Sequence, residues 1–167
     1  ATRPASSRSA TIPRSSPPRG DFFRRVVSDS RGGKYGSDGV RANVVERNLY
    51  DVLLSIAESK RVLDRLPGQE EKRGSEGLLK QVQRIATPEA YVEAIDWSPH
   101  APGDVLLITG VGEAFPFVRV HNVLNNMQSA FRDVPVVVAY PGTFDGGSLS
   151  LYGKLKDGNY YRAFDLI

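Results

Sequence analysis

The chain contains no cysteine, and this absence excludes disulfide bonds and thiolate metal sites. It has two histidines, His100 and His121, and because a zinc site normally needs three or four ligands, so small a set argues against zinc. No apolar run approaches the roughly 20 residues that a membrane-spanning helix needs, and the first residues lack the apolar stretch of a secretory signal. These absences predict a cytoplasmic protein that does not span a membrane.

Positive charge is concentrated near the amino-terminal end. Residues 1–47 hold 10 basic and 4 acidic side chains, which gives a net charge of +6. Residues 48–167 hold 12 basic and 15 acidic side chains, which gives a net charge of −3. Most of residues 1–39 is rich in Ser, Pro, Gly and Arg and cannot bury enough surface to offset its ordering entropy. We therefore expect a disordered basic arm at residues 1–39 and a single folded domain at residues 40–167. The arm is either a solvated tail or a weak, non-specific contact to nucleic acid.

Two short apolar runs frame the most regular part of the chain. Asp104–Thr109 and Val134–Tyr140 are rich in Val, Leu and Ile without polar alternation, which is typical of strands covered on both faces of a sheet. The segment between them opens with glycines and continues in a helical pattern, with Pro116 at or near the first helical position. This order predicts a βαβ unit whose right-handed crossover makes the two strands parallel.

The preceding segment has a weaker pattern. In Val40–Asn48, apolar residues occupy every second position, as in a strand with one buried face. The segment also includes several charged residues, so it is an edge strand at best. Asp51 can cap the helix that follows. An apolar stripe with a period of about 3.6 extends that helix to about Leu66, and Pro67–Gly68 is expected to end it.

Further helical signals lie between this helix and the βαβ unit. The charged stretch Gln69–Glu76 is expected to be a loop, and Leu78–Ile85 resumes a helical pattern. Thr87 is expected to cap another helix, since a proline and a glutamate follow it in the first turn.

The carboxyl-terminal end has the alternating pattern of a β-hairpin. Ser148–Leu155 and Tyr160–Ile167 alternate apolar and polar residues, and Lys156–Asn159 between them contains an Asp-Gly turn. Together with the βαβ unit, this predicts an α/β fold: a small three-layer, Rossmann-like domain with a mainly parallel sheet and a carboxyl-terminal β-hairpin.

Polar side chains gather after both strands of the βαβ unit. Because the carboxyl ends of parallel strands meet at one edge of a sheet, where ligands or partners dock, we expect an interaction surface there. Tyr and Arg are favoured interface residues, so the aromatic carboxyl-terminal end is a candidate part of it. The residues predicted to form this interaction surface are Gly110, Gly112, Glu113, Arg119, His121, Asn125, Asp145, Tyr161 and Arg162.

The glycines of this surface do not form a nucleotide-binding motif. The loop has no lysine or hydroxyl residue where a phosphate loop needs them. Phe115–Pro116 also stands where a dinucleotide fingerprint has small residues. The simpler reading is a tight strand-to-helix turn in which glycine supplies a positive φ, so no cofactor is predicted.

Two other functions stay open from the residues alone. Glu113, His121 and Asp145 could serve a metal-dependent nuclease or phosphoesterase, with the two carboxylates on Mg²⁺ and the imidazole as a base. Carboxylates at helix ends are, however, more often caps, and the chain has neither a nucleophile-elbow serine nor a cysteine nucleophile. The basic arm could instead make the protein a nucleic-acid-binding accessory subunit.

Several idiosyncratic motifs resemble one known family. They are T-G-V-G-E-x-F-P-F-x-R-x-H from Thr109, L-N-N at Leu124–Asn126, P-G-T-F-D-G from Pro141 and N-Y-Y-R-A-F from Asn159. The combination resembles the carboxyl-terminal part of BrxB proteins, components of bacteriophage-exclusion (BREX) defence systems. The resemblance covers roughly Val44–Ile167 and is strongest from Asp104 onward.

The resemblance implies a process and a set of partners. We expect a non-catalytic structural or adaptor component of a BREX system, acting through protein–protein contacts. The implied partners are the PglZ-type phosphatase-like protein or the PglX methyltransferase. About forty residues at the amino-terminal end do not fit the family, whose members begin with a further strand and helix, so we expect a divergent or truncated amino terminus.

Overall fold

The computed structural model describes residues 19–33, 36–37, 40–145 and 148–157. The chain groups into two compact units, Val27–Pro141 and a second made of Ala1–Val26 with Gly142–Ile167. The single domain expected at residues 40–167 stays a prediction. The helices of the described residues are α1 (Arg19–Arg31), α2 (Leu49–Ser59), α3 (Leu66–Ile85), α4 (Pro88–Ile95), α5 (Val111–Ala114) and α6 (Val120–Met127). The strands are β1 (Gly36–Ser37), β2 (Val40–Arg41), β3 (Asn43–Asn48), β4 (Asp104–Thr109), β5 (Val136–Val138), β6 (Gly142–Phe144), β7 (Leu149–Leu151) and β8 (Leu155–Asp157).

A parallel sheet with the order β3-β4-β5 organises the larger unit. β3 pairs with β4 over its whole length, from Asn43 opposite Asp104 to Asn48 opposite Thr109. β5 pairs with β4 in parallel over three positions. The predicted βαβ unit and its parallel strands are therefore confirmed, and so is the α/β class.

The two strands of the βαβ unit differ in burial. Leu106 and Ile108 of the central strand β4 are fully buried, as expected for a strand covered on both faces. The same expectation is wrong for β5, where Val136 is 36% exposed. β5 is only three residues long, and within the described residues it has a neighbouring strand on one side only. A run of valines thus marks a strand here without marking its position in the sheet.

The helix cap after β3 is Asn48 rather than the predicted Asp51. Its side-chain Oδ1 accepts hydrogen bonds from the backbone N–H groups of Tyr50 and Asp51, at 2.9 and 3.3 Å. The carboxylate of Asp51 lies instead in the first turn of α2, where it favours the positive end of the helix. α2 ends at Ser59, earlier than the sequence suggested.

The stretch expected to be a loop is helical. α3 covers Gln69–Glu76, and Pro67 stands in its first turn, where proline is tolerated, instead of ending the preceding helix. Good helix formers such as Glu, Lys and Arg account for this outcome despite the missing apolar stripe. Gly74 interrupts the helical geometry with φ 68° and ψ 173°. The side chains of residues 70–76 are all exposed.

Two other helix predictions are confirmed in part. The Thr87 hydroxyl accepts a hydrogen bond from the N–H of Ala90 and caps α4, as predicted. The crossover of the βαβ unit, however, is split into α5 and α6. Pro116 lies between these helices rather than at a helix start, because α6 begins only at Val120.

The core of this unit lies where the helices meet the central strand. α2 and α4 pack against each other, and α4 also contacts α6. Leu49, Tyr91 and Ile95 are fully buried there with Leu106 and Ile108 of β4. The Tyr91 hydroxyl donates a hydrogen bond to the Leu49 carbonyl at 3.2 Å, and burial raises the pKa of Tyr91 well above its usual value.

The outer edge of β3 is covered by α1. The amide of Asn43 points toward β4 and donates to Gly103 O, so the next amide, of Val44, points to the free edge. It donates there to the buried Ser30 hydroxyl at 3.2 Å, and this hydroxyl donates in turn to Val27 O at 2.8 Å.

This contact corrects part of the expected arm. A disordered arm was predicted for residues 1–39, but Arg19–Arg31 is a helix, with Val27 and Ser30 buried. Apolar residues at helical spacing and one buried serine are enough to place its last turns against the sheet edge. Residues 1–18 lie outside the described residues.

The second unit contains an antiparallel sheet of order β6-β7-β8. The predicted carboxyl-terminal hairpin is confirmed, but its turn falls at Tyr152–Lys154, with Gly153 at φ 66°. Lys156 and Asp157 lie in β8, and the rest of the turn expected at Lys156–Asn159 lies outside the described residues, so that turn stays a prediction. The strand expected at Tyr160–Ile167 lies outside the described residues. No helix in the described part of the chain is long and apolar enough to cross a membrane.

Candidate functional site

The carboxyl-terminal edge of the parallel sheet is built around Asn48 and Gly110. Asn48 and Thr109 are paired at the ends of β3 and β4, and Gly110 follows with φ 70°. A Cβ atom at Gly110 would overlap the side-chain amide of Asn48. Glycine is therefore required twice, by the left-handed backbone and by the close approach. The turn interpretation of this loop is confirmed.

A second polar pair lies on the same strands. The Thr109 hydroxyl donates a hydrogen bond to Glu46 Oε1 at 2.9 Å. Asn48 and Glu46 were not predicted to be site residues, although an asparagine directly before an apolar helix is a recognisable cap signal. The contact of Glu46 with Thr109 depends on strand register and had no local signal.

Besides Gly110, five predicted surface residues lie on α5 and α6 or at their ends. Glu113 is exposed on α5, and Arg119 is exposed at the position that precedes α6. Asn125 is also exposed, whereas His121 is half-buried and makes a contact. Within the described residues, neither Glu113 nor Arg119 makes an ion pair. The remaining predicted residue of this segment, Gly112, is half-buried within α5.

The direction of α6 fixes which end of the sheet Arg119 faces. Beyond the end of α6, the Phe131 ring stacks on His100 with ring centroids 5.0 Å apart. His100 in turn contacts Trp97, whose indole bonds Asp104 at the start of β4. The end of α6 thus lies at the amino-terminal edge of the sheet, and Arg119 lies toward the opposite, carboxyl-terminal edge.

An open groove of about 290 Å³ runs beside Arg119. One wall is the junction of α3 and α4, including Gln83 and Thr87, and the other is the segment from Pro116 to Asn122. The side-chain amide of Gln83 donates a hydrogen bond to Pro116 O at 3.0 Å, which ties the two walls together. We call this feature the Arg119 groove.

Among the predicted surface residues of the larger unit, Glu113 and Asn125 do not line this groove. Asp145 belongs to the second unit, where its carboxylate accepts hydrogen bonds from the backbone N–H and the hydroxyl of Ser148, at 2.7 and 2.8 Å. This is the local turn contact that the simpler interpretation of Asp145 predicts. Tyr161 and Arg162 lie outside the described residues.

The carboxylates and histidines of the described part of the chain do not form a metal-binding cluster. Within residues 19–33, 36–37, 40–145 and 148–157, no three Asp, Glu or His side chains lie close enough together to hold a metal ion.

The most elaborate polar cluster lies at the other end of the sheet and was missed from sequence. The buried carboxylate of Asp104 accepts hydrogen bonds from Ala101 N at 2.8 Å, Asn43 Nδ2 at 2.8 Å and Trp97 Nε1 at 3.1 Å. The Ala101 bond is the main reason that the pKa of Asp104 is lowered, and the bonds from Asn43 and Trp97 and the nearby His100 act in the same direction against burial.

The segment before Asp104 is held by further contacts. His100 pairs with Asp96 at 2.9 Å. Burial opposes the charge on Asp96, but hydrogen bonds from Ser98 and His100 outweigh it and lower its pKa. The Arg47 guanidinium lies 5.6 Å from the centre of the Trp97 ring. Each polar group named here has a partner, so the cluster is a closed structural support and the carboxyl-terminal edge remains the candidate site.

Comparison with known proteins places the chain in a family. The family model described as "BREX protein BrxB" matches residues 45–166, from β3 onward. A curated "BREX protein BrxB" of Bacillus cereus (strain H3081.97) is 40% identical over 128 residues, covering 75% of this chain and 67% of that protein. Another, of Escherichia coli O9:H4 (strain HS), is 31% identical over 121 residues, covering 72% of this chain and 60% of that protein.

No solved structure matches the chain. The sequence matches extend through both strands of the βαβ unit and the whole carboxyl-terminal edge described above. The resemblance noted in the sequence motifs is thereby confirmed over most of the chain. The chain belongs to the BrxB family of BREX proteins.

Proposed function

We propose that this protein is a non-catalytic structural or adaptor component of a BREX phage-resistance system, acting in the cytoplasm through protein–protein contacts. Its family membership implies a role in phage defence. The partners proposed are the PglZ-type phosphatase-like protein or the PglX methyltransferase of the same system. The chain matches 67% and 60% of the lengths of the two relatives, so the activity and partners of the whole protein belong to this proposal.

The observation that carries the proposal is the exposed polar surface of α6 and of the residue before it. Val120, Val123 and Met127 are buried on one side of this helix. The helix exposes Asn125, and Arg119 is exposed at the position that precedes it; neither side chain makes a hydrogen bond or ion pair among the described residues. Arginine in particular is enriched at the centres of protein interfaces. A folded helix that presents such groups at the edge of a sheet suits docking better than covalent chemistry.

The proposed interaction surface keeps the residues predicted from sequence. On the larger unit these are the Gly110 turn, Glu113, Arg119, His121 and Asn125. Asp145, Tyr161 and Arg162 are retained separately as proposed interaction residues of the other unit. Glycines at the turn contribute shape and backbone groups, and the charged side chains contribute specificity and association rate.

The experiment that tests the proposal is co-purification from a host that carries an intact BREX gene cluster. The tagged chain is expected to retain a PglZ-type or PglX-type protein through washing at low salt. Arg119→Ala and Asn125→Ala should each reduce the retained partner at least about tenfold if they lie at the centre of the contact. Arg132→Ala, an exposed arginine beyond α6, is the matched control and should have no effect.

Two outcomes would count against the adaptor role. One is the absence of any BREX protein in the wild-type eluate at low salt. The other is that Arg132→Ala reduces the amount of co-purified partner as much as Arg119→Ala does, which would show a general effect of charge. Circular dichroism of each variant separates loss of contact from loss of fold.

A further inference from the structure

The Arg119 groove has one kind of charge on its walls. Arg119 is the charged residue among those that line it, and no carboxylate lines it. Lys80 lies one turn before Gln83 on α3 and shares its side of the helix, since residues three apart are neighbours. Both basic side chains are exposed and make no ion pair within the described residues. The lining of the groove therefore carries one positive charge, that of Arg119, since Lys80 does not line the groove.

This local charge differs from that of the surrounding chain. Residues 48–167 carry a net charge of −3. An acidic partner therefore gains no attraction from the net charge of this part of the chain and is attracted locally at Arg119. Glu89 follows the groove residue Pro88 but does not line the groove.

The lining also indicates the class of partner. Pro88, Pro116 and Phe117 give the groove apolar contact area, and Asn122 adds an amide beside Arg119. Nucleic-acid backbones need several cations to release enough counterions for stable binding. One arginine on a partly apolar wall suits a protein segment that offers a carboxylate together with apolar side chains. A volume of about 290 Å³ is at the small end for a ligand pocket and fits one or two side chains.

We propose that the Arg119 groove binds an acidic segment of a partner protein, with an Asp or Glu carboxylate paired to the Arg119 guanidinium and its neighbouring apolar residue against Pro116 and Phe117. This inference rests on the proposed adaptor function and specifies the chemistry of the partner. The bond from Gln83 to Pro116 O joins the two walls before a partner binds, which reduces the ordering that binding requires.

The test uses the full chain and a fluorescein-labelled peptide of about ten residues made of Glu, Leu and Gly, followed by fluorescence anisotropy. A peptide with Gln in place of Glu is its uncharged control. Arg119→Glu reverses the charge, and Asn122→Trp fills the groove without changing charge. Arg132→Glu makes the same charge reversal away from the groove.

The acidic peptide is expected to bind at least about tenfold more tightly than the Gln peptide. Arg119→Glu and Asn122→Trp should each weaken binding of the acidic peptide by about tenfold or more, and Arg132→Glu by less than about twofold. Absence of binding to the wild-type chain overturns the inference. Equal effects of Arg119→Glu and Arg132→Glu overturn it as well, because they show non-specific attraction.

The two levels of the proposal fail differently. If BREX partners co-purify in an Arg119-dependent way but the acidic peptide does not bind, the adaptor role stands. The inference that the groove binds an acidic segment is then wrong. If no BREX protein co-purifies at all, the adaptor role fails whatever the peptide does. Circular dichroism spectra of Arg119→Glu and Asn122→Trp that match the wild type assign the loss of binding to the groove.

Discussion

At the scale of single residues, Asp104 shows how one buried charge fixes a loop. Its carboxylate receives three hydrogen bonds, from Ala101, Asn43 and Trp97, and these bonds lower its pKa below the ordinary value of 3.8. Because the carboxylate is favoured in the folded state, its contribution to stability is complete above the unfolded-state pKa. That contribution is lost as the pH falls through the lower, folded-state pKa.

We predict that Asp104→Asn lowers the free energy of unfolding at pH 7 by about 2 kcal/mol, since an amide cannot accept all three bonds. The variant should also lose less stability than the wild type when the pH falls from 5 to below 3.8. Urea unfolding followed by circular dichroism at several pH values measures both effects. Asp133→Asn, an exposed carboxylate, is the control, and an equal effect there would contradict the role given to Asp104.

The contact of Gly110 with Asn48 makes a second prediction. Gly110→Ala should destabilise the protein by about 2 kcal/mol or more, because its φ is 70° and the new Cβ overlaps the Asn48 amide. Asn48→Ala should lower the free energy of unfolding by about 1 kcal/mol, because the helix cap is lost. The double variant should lose about 1 kcal/mol less than the sum of the two single losses, because without the Asn48 amide the new Cβ has nothing to overlap.

Urea unfolding of the two single variants and the double variant measures this coupling. Gly68→Ala, where an added Cβ meets nothing within 4 Å, is the matched control and should be neutral or slightly stabilising. Strict additivity of Gly110→Ala and Asn48→Ala would contradict the close approach described for the carboxyl-terminal edge.

At the scale of elements, the sequence predicted those parts of the fold that a local pattern determines. The strand β4, the parallel βαβ unit and the Thr87 cap follow from apolar runs and cap residues. The exposure of β5 and the bond from Ser30 to Val44 depend on which elements become neighbours, and a single sequence has no local signal for that. The glycine turn at Gly110 follows from its local pattern, whereas the walls of the Arg119 groove come from segments distant in sequence, which no local pattern indicates.

The edge contact of α1 is testable at this scale. Ser30→Ala removes the acceptor of the Val44 amide, and we predict a loss of about 1 kcal/mol or somewhat more, because this buried donor is then unpaired. Hydrogen exchange at Val44 should accelerate more than at Leu106 in the sheet centre. Ser28→Ala, at an exposed position of the same helix, should change neither quantity. Unchanged exchange at Val44 in Ser30→Ala would rule out edge protection by this hydroxyl.

At the scale of the whole molecule, the basic amino-terminal stretch combines two segments with different roles. The last turns of α1 contribute Val27 and Ser30 to the larger unit. Residues 1–18 precede this helix and add three arginines to the net charge. Removing residues 1–18 would therefore take away three of the ten basic residues of residues 1–47 and leave the four arginines of α1 and its cover of the sheet edge in place.

We predict that a chain beginning at Arg19 keeps the urea midpoint of the full chain. In a chain beginning at Gly33, the free energy of unfolding should fall by about 2 kcal/mol or more. This truncation leaves the Val44 amide without its acceptor and removes the buried Val27 side chain. Equilibrium unfolding of the three chains measures the difference. Equal stability of both truncated chains would contradict the packing of α1 on β3.

The interruption of α3 at Gly74 has a practical consequence. The peptide bonds around Lys72 and Arg73 lie in a stretch whose side chains all face solvent, and the regular helix is broken directly after them. Limited trypsin digestion should cut here before it reaches the sheet, because such segments open most readily. The same position is a suitable place for inserting a tag or a fluorescent reporter without disturbing the Arg119 groove.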